Sequence, residues 1–269
     1  MIYKTHYSSI CHHETQPAFQ AKVLNKYLAD YFYCETCGFL QVDSPHWLKE
    51  AYSNAIVDAD TGLLSRNIML SQKVSCLLAN FFDKDAKYID VGGGYGVFTR
   101  LMRDVGFDFY WSDLYCENLF AKGFEADTQT NSNFTAITAF ELLEHLQDPF
   151  DFIQKSLNKY DSSTFIFSTE LFQGTPPQPD SWKYYAFYSG QHISFFQNRT
   201  LAYIANKLSL NFYSSHGIHV FTDKTIKNQF LLNALLSKYS QLFFKIVKNK
   251  MNSRIITDNV NLSQNIFSS

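Results

Sequence analysis

The hydrophobic and polar positions follow different periods along the chain. Residues 1–45 contain short aromatic runs, and "FYCETCGFLQ" (32–41) predicts two strand pieces around a tight turn. Between Pro45 and Phe82 the apolar residues recur every three to four positions, which is typical of helices. Short apolar strands and amphipathic helices then alternate, and this indicates a mostly parallel sheet with helices on both faces.

The alternating region has well-marked element ends. Gly106 closes one predicted helix, and Asp148 with Pro149 begins another. A terminal antiparallel hairpin is expected at 210–214 and 218–222. The predicted strands are 87–92, 107–113, 134–140 and 163–169, and the predicted helices are 97–106, 148–157 and 199–208.

These patterns predict four parts of the chain. A small module covers 1–45, a helical linker 46–82, an α/β core 83–222 and a helical extension 223–269. Within the extension we expect an amphipathic helical pair up to residue 250, followed by polar coil.

Composition narrows the class of protein. The chain has 269 residues, of which 46% are hydrophobic and 17% aromatic, which favours a globular protein over a disordered one. The net charge of −2 gives no reason to expect a nucleic-acid partner. No run is long enough for a membrane span, and the first residues lack the order of a secretory signal, so a cytoplasmic location is expected.

Glycines cluster at the end of the first predicted core strand, in "YIDVGGGYGVFTRLM" (88–102). Glycine there indicates that backbone or ligand must approach closely. The dinucleotide pattern G-x-G-x-x-G does not fit, because its third glycine would fall on Val97. The pattern D-x-G-x-G-x-G does fit, from Asp90 to Gly96.

This spacing resembles the first motif of class I S-adenosylmethionine-dependent methyltransferases. The resemblance implies a Rossmann-like, doubly wound, mostly parallel seven-stranded sheet that ends in an antiparallel hairpin. It also implies that S-adenosylmethionine is the cofactor, with Asp113 accepting the ribose hydroxyls and Asp127 near the adenine amine. The cofactor-binding residues it implies are Asp90, Gly92, Gly93, Gly94, Gly96, Asp113, Leu114, Asp127 and Phe140.

The segment "FELLEHLQDP" (140–149) resembles the ubiquinone-biosynthesis-type and sugar methyltransferase branch of that family. In this branch a histidine-bearing aromatic tract forms the active-site rim, and "WKYYAFYSGQHISFF" (182–196) is similar to it. His192 is therefore the candidate general base, since a near-neutral pKa suits proton removal. The alternative is that His192 bonds the loop backbone and packs under the aromatics. His145 is expected to support the cofactor strand. The further candidates for the base are Tyr184, Tyr185, Tyr188 and Glu141.

Three cysteines in the first module, Cys11, Cys34 and Cys37, resemble part of the zinc-binding module that precedes some sugar C-methyltransferases. Structural zinc takes four ligands, and Ser8 stands where that family has another cysteine. One structural zinc, with a histidine as fourth ligand, and a remnant module without metal both remain open.

Three functions are open at this point. The first is methyl transfer to a small molecule, with a hydroxyl or carbon of a sugar or glycan precursor as the expected acceptor. A nucleic-acid methyltransferase is the second, although the N/D-P-P-Y segment of base methylation is replaced by "FELLEH". The third is a cofactor-binding module that docks a partner without catalysis.

Overall fold

The computed structural model describes residues 5–53, 60–126 and 133–268, with side chains up to residue 264. The chain forms two compact units. The first unit contains Met1–Val57, Phe140–Ser156 and Phe167–Asp223, and the second contains Asp58–Ala139, Leu157–Ile166 and Lys224–Ser269.

The strands and helices are numbered in chain order. The strands are β1 (His6–Tyr7), β2 (Glu14–Val23), β3 (Tyr27–Cys34), β4 (Phe39–Val42), β5 (Lys87–Val91), β6 (Asp108–Ser112), β7 (Ala136–Ala139), β8 (Thr164–Ser168), β9 (Ser194–Phe195), β10 (Asn211–Ser215) and β11 (Ile218–Thr222). The helices are α1 (Leu48–Ala51), α2 (Leu63–Phe81), α3 (Val97–Val105), α4 (Pro149–Lys159), α5 (Asn198–Lys207), α6 (Gln229–Leu236), α7 (Ser240–Lys250) and α8 (Ile255–Ser268).

An antiparallel sheet forms much of the first unit, with the strand order β1-β2-β3-β4-β9. Cys34 pairs with Phe39, so the two strand pieces expected around the tight turn are present. Leu40 of β4 pairs with Phe195 of β9, far along the chain. Tyr31, Tyr185 and Phe195 are fully buried in one apolar cluster with their neighbours, and this burial stabilises the sheet.

The second sheet has the order β10-β11-β8-β7-β5-β6. β5 pairs in parallel with both β6 and β7, and β10 pairs antiparallel with β11, which confirms the α/β class with a terminal hairpin. At the β6 edge, Glu125 forms an isolated parallel bridge to Trp111. Six strands of this sheet lie in the described part of the chain.

Helix ends follow the local signals in the sequence. The side chain of Asp148 accepts a hydrogen bond from the Asp151 N–H at 3.0 Å, which confirms the expected start of α4. Gly106 ends α3 with a φ of +131°, and a Cβ at this position would lie 2.6 Å from the Asn252 carbonyl oxygen. No helix in the described ranges is long and apolar enough to cross a membrane.

The prediction of polar coil after residue 250 is wrong, because residues Ile255–Ser268 form α8. Asp258 on this helix accepts hydrogen bonds from two nitrogens of Arg103, at 2.8 and 2.7 Å, and from Arg100 at 2.9 Å. The Asp258 carboxylate and the Arg103 guanidinium are both buried. These charge-assisted hydrogen bonds connect α8 to α3.

Candidate active site

The glycine turn after β5 has a backbone that other residues rarely adopt. Gly92, Gly94 and Gly96 have φ values of +68°, +53° and +84°. These lie in the left-handed region, which favours glycine because it has no Cβ. At Gly93 the limit is space, since a Cβ there would lie 2.8 Å from the Asp90 carboxylate. The sequence therefore needs glycine at each of these four positions.

Neighbouring β6 holds the turn in place. Val91 pairs with Ser112 at the ends of the two parallel strands, and the Gly92 N–H donates to the Ser112 carbonyl at 2.8 Å. The Trp111 indole N–H donates to the Gly94 carbonyl at 2.9 Å. These bonds fix the turn at the carboxyl edge of the sheet, where ligands bind in α/β folds.

Asp113 links the turn to the loop after β6. Its Oδ2 accepts from the Gly94 N–H at 2.9 Å, and its Oδ1 accepts from Tyr115 N–H at 2.7 Å and from Cys116 N–H at 2.8 Å. A carboxylate oxygen accepts about two hydrogen bonds, so Oδ2 retains capacity for one more donor. Leu114 is 88% exposed beside it.

Asp90 is buried beneath the turn. The Thr138 hydroxyl donates to its Oδ1 at 2.7 Å. Burial, together with the negative charge of Asp113, raises the pKa of Asp90 to about 7, although the Thr138 bond acts in the opposite direction. Asp90 thus holds a proton in the folded protein at pH values where it is ionised in the unfolded chain.

This pKa predicts a pH dependence of stability. The folded pKa lies above the unfolded value, so the contribution of Asp90 is fully present below about pH 4 and is lost as the pH rises through about 7. We expect the free energy of unfolding of the native protein, relative to Asp90→Asn, to fall by about 1–2 kcal/mol between pH 5 and pH 7. Urea unfolding of both proteins across this range measures it, with exposed Asp85→Asn as the control. Parallel curves for native and Asp90→Asn protein would contradict the assignment.

Phe140 and Asp127 are the remaining residues that are expected to contact the cofactor. Phe140 directly follows β7 and is half-buried, at the start of the segment that carries the acidic residues. Asp127 lies outside the described residues.

A second group of polar side chains lies in the first unit. Glu144 is fully buried, and neither of its carboxylate oxygens has a hydrogen-bond partner among the described residues. Burial raises the pKa of Glu144 to about 8, and the charge of Glu141 adds to the rise. The hydroxyls of Tyr184 and Thr169 lie near this carboxylate and lower its pKa in part. These two hydroxyls are hydrogen-bonded to each other, at 3.1 Å.

Two histidines face each other beside Glu144. The rings of His145 and His192 are 4.8 Å apart between centroids and nearly perpendicular. His192 Nδ1 lies 2.6 Å from the Tyr184 carbonyl oxygen, which can only accept, so Nδ1 carries the proton and neutral His192 has its lone pair on Nε2. His145 Nδ1 lies 2.9 Å from the Tyr52 hydroxyl. Burial lowers the pKa of His145 to about 3, with a smaller contribution from His192, so the ring is neutral.

Glu141 adds a rare backbone conformation to this group. Its φ is +51°, in the left-handed region. Ser168 stabilises it from both sides, because its hydroxyl oxygen accepts from the Glu141 N–H at 3.0 Å and its proton is donated to the Glu141 carboxylate at 2.6 Å.

The candidate residues of the aromatic tract thus have different surroundings. Tyr184 lies against His192, with ring centroids 4.8 Å apart. Tyr185 is 1% exposed in the apolar cluster, and its hydroxyl donates to the Pro177 carbonyl. Tyr188 is exposed. The sequence alone does not place Glu144 in the site, although it contains the Glu141-x-x-Glu144-His145 spacing.

The three cysteines of the first module lie together, and all are buried. Cys11 Sγ and Cys34 Sγ are 3.4 Å apart, and the Ser8 hydroxyl lies 3.5 Å from Cys37 Sγ. Burial acts to raise the pKa of Cys11, but hydrogen bonds from the His13 backbone and the neighbouring thiols lower it to about 7. A low pKa of the Cys11 thiol suits metal binding, which requires the thiolate, whereas burial raises the pKa of the Cys37 thiol to about 12.

Comparison with known proteins gives the following matches. Residues 66–215 match a family model described as a methyltransferase domain. None of the curated proteins matches the chain significantly.

Three solved structures illustrate the similarity of fold. TnmH is 15% identical, with a TM-score of 0.46, over 66% of this chain and 61% of that chain. The 1,6-didemethyltoxoflavin-N1-methyltransferase of Burkholderia thailandensis, solved with bound S-adenosylhomocysteine, is 14% identical, with a TM-score of 0.48, over 73% and 96%. Magnesium protoporphyrin IX methyltransferase from Synechocystis PCC 6803, solved with bound SAM, is 12% identical, with a TM-score of 0.39, over 65% and 91%. The chain thus spans about three fifths of the length of TnmH.

Proposed function

Since this chain belongs to the methyltransferase-domain family, we propose that it transfers a methyl group from S-adenosylmethionine to a small molecule. The observation that carries the proposal is the glycine turn of residues 92–96 with the Asp113 carboxylate beside it. The bare backbone admits the methionine chain of the cofactor, and the remaining accepting capacity of Asp113 Oδ2 suits a ribose hydroxyl.

Other residues complete the proposed cofactor site. Asp90 lies beneath the turn, and Gly93 lets the backbone pass close to its carboxyl group because glycine has no Cβ. Leu114, which is almost fully exposed, offers apolar contact to the adenine ring. Phe140 and Asp127 remain expected cofactor contacts on the resemblance alone.

The proposed acceptor is a hydroxyl or an acidic carbon of a sugar or glycan precursor. His192 supports this, because its Nε2 lone pair can take up the acceptor proton. As the acceptor atom bonds to the methyl carbon, the carbon–sulfur bond breaks and its electron pair remains on sulfur, which gives S-adenosylhomocysteine. The aromatic tract around His192 can stack on the apolar face of a sugar ring.

We assign the cysteine cluster a separate, structural role. Cys11, Cys34 and Cys37 offer three sulfur ligands for one zinc ion, and the donor set fits because thiolates favour zinc. Ser8 lies against Cys37, where a fourth ligand is needed.

Calorimetric titration with S-adenosylmethionine tests the cofactor assignment. We expect Asp113→Ala to weaken binding by about 1.5–3 kcal/mol, because a charge-assisted hydrogen bond to the ribose and the support of the turn are both lost. Glu117→Ala, which removes an exposed carboxylate from the same loop, should leave the affinity unchanged. Unchanged affinity in Asp113→Ala would show that Asp113 does not contact the ribose.

Methyl transfer is measured with isotope-labelled S-adenosylmethionine and extracts of glycan precursors. A parallel reaction contains RNA in place of the extract. Label in a small-molecule product supports the proposal. Label in RNA would identify a nucleic-acid methyltransferase instead, and tight cofactor binding without any transfer would identify a binding module.

A further inference from the structure

The buried carboxylate of Glu144 is the starting point. Both of its oxygens are inaccessible to solvent and without a hydrogen-bond partner in the parts of the chain described. Burial without a partner disfavours the ionised carboxylate, and a bound cation would stabilise that form. The nearby hydroxyls of Tyr184 and Thr169 bond each other, so they compensate for the buried carboxylate only in part.

Two imidazoles complete a set of metal-binding groups around this carboxylate. Glu144, His145 and His192 each offer one ligand atom, and these atoms lie within 4.8 Å of one another. The Ile193 N–H donates to the Glu144 carbonyl at 2.8 Å, which ties the two segments together. Little movement is needed to bring all three atoms onto one ion.

The outer hydrogen bonds of the histidines suit the same role. His192 donates from Nδ1 to the Tyr184 carbonyl, so Nε2 is the ring nitrogen that would bind a metal. His145 can donate from Nδ1 to the Tyr52 hydroxyl oxygen, with the same result. Metal-binding histidines usually have such a partner on the second ring nitrogen, since it fixes the tautomer and the ring orientation.

We propose that Glu144, His145 and His192 bind one divalent transition-metal ion. Two imidazoles and one carboxylate suit zinc, manganese or iron better than calcium or magnesium, which prefer oxygen ligands. Three protein ligands leave coordination positions open for water or for a substrate oxygen.

The role of this ion in the reaction rests on the proposed function. An acceptor hydroxyl bound to the ion would have a lowered pKa and would lose its proton to water. Its oxygen then attacks the methyl carbon, and the electron pair of the broken carbon–sulfur bond stays on sulfur. In this arrangement the Nε2 lone pair of His192 holds the ion rather than the acceptor proton. The preferred acceptor is then a compound that binds the metal through oxygen.

Titration with Mn²⁺ tests the site in the absence of cofactor and acceptor. Binding is measured as the loss of the electron paramagnetic resonance signal of free Mn²⁺. We expect one Mn²⁺ per chain, displaced by Zn²⁺, and at least ~10-fold weaker binding in Glu144→Gln and in His192→Gln. Glu144→Gln keeps the size of the side chain, so the variant is expected to fold. Circular dichroism confirms this.

Two controls separate this site from others. Cys34→Ser should retain the Mn²⁺ affinity, because it changes only the cysteine cluster. Elemental analysis of the same variant measures its content of the structural zinc. His216→Gln removes an exposed histidine and should also retain it. Absence of Mn²⁺ binding, or equal affinity in native protein and Glu144→Gln, would overturn the proposal. A failure to transfer methyl groups would not affect this measurement, so the two proposals are tested separately.

Discussion

Replacing His192 with Gln is expected to lower the rate of methyl transfer by about 10²–10⁴-fold and to leave the affinity for S-adenosylmethionine unchanged. Glutamine can still donate a hydrogen bond to the Tyr184 carbonyl, as His192 Nδ1 does, but it has no basic nitrogen. Single-turnover rates and calorimetry on the same preparations measure the two effects. His216→Gln is the matched control, because it removes an exposed histidine of the same unit.

The pH profile of this variant distinguishes the two roles considered for His192. If His192 accepts the proton, the rate deficit narrows as the pH rises, because hydroxide replaces the base. If it binds the metal, the deficit persists at high pH. Loss of stability with full turnover per folded molecule would show that His192 is a packing residue. The base would then be sought among Tyr184, Tyr188 and Glu141, whereas Tyr185 is enclosed in the apolar cluster.

Replacing Asp258 with Ala is expected to lower the free energy of unfolding by about 3–5 kcal/mol. The substitution leaves the guanidinium of Arg103, which is 3% exposed, without its bidentate partner, and Arg100 loses one of its two carboxylates. Urea unfolding followed by circular dichroism measures the change. Asp108 still accepts one hydrogen bond from Arg103 in this variant. This ion pair should keep part of the Arg103 guanidinium in its native position.

An exposed ion pair provides the control for this measurement. Asp151 and Lys155 are four residues apart on α4 and largely exposed, so Asp151→Ala should cost less than about 0.5 kcal/mol. A similar small effect for Asp258→Ala would show that α8 is held by its apolar residues instead.

The sequence predicted those features that are set by nearby residues. The glycine spacing of residues 92–96 gave the turn, and Asp148 gave the start of α4, because φ limits and helix caps depend only on local chemistry. The hairpin of β10 and β11 was predicted in the same way.

The features that the sequence did not predict depend on distant partners. Asp258 of α8 contacts Arg103, which lies far away in the chain. The unpartnered state of Glu144 is a property of its surroundings, since a carboxylate in a Glu-His pair is ordinarily expected to be solvated or capping a helix. Pattern analysis cannot show which polar groups lack a partner, because this depends on every side chain that could have reached them.

The pairing of β4 with β9 has a consequence for synthesis of the chain. Leu40 emerges from the ribosome long before its partner Phe195, and synthesis proceeds at about 5–20 residues per second. During that interval the β4 edge, with its buried Phe39 and Leu40, has no strand to cover it. Exposed strand edges of this kind associate with other chains. The nascent protein is therefore most vulnerable to aggregation before residue 195 is made, and chaperone dependence should be greatest in that period.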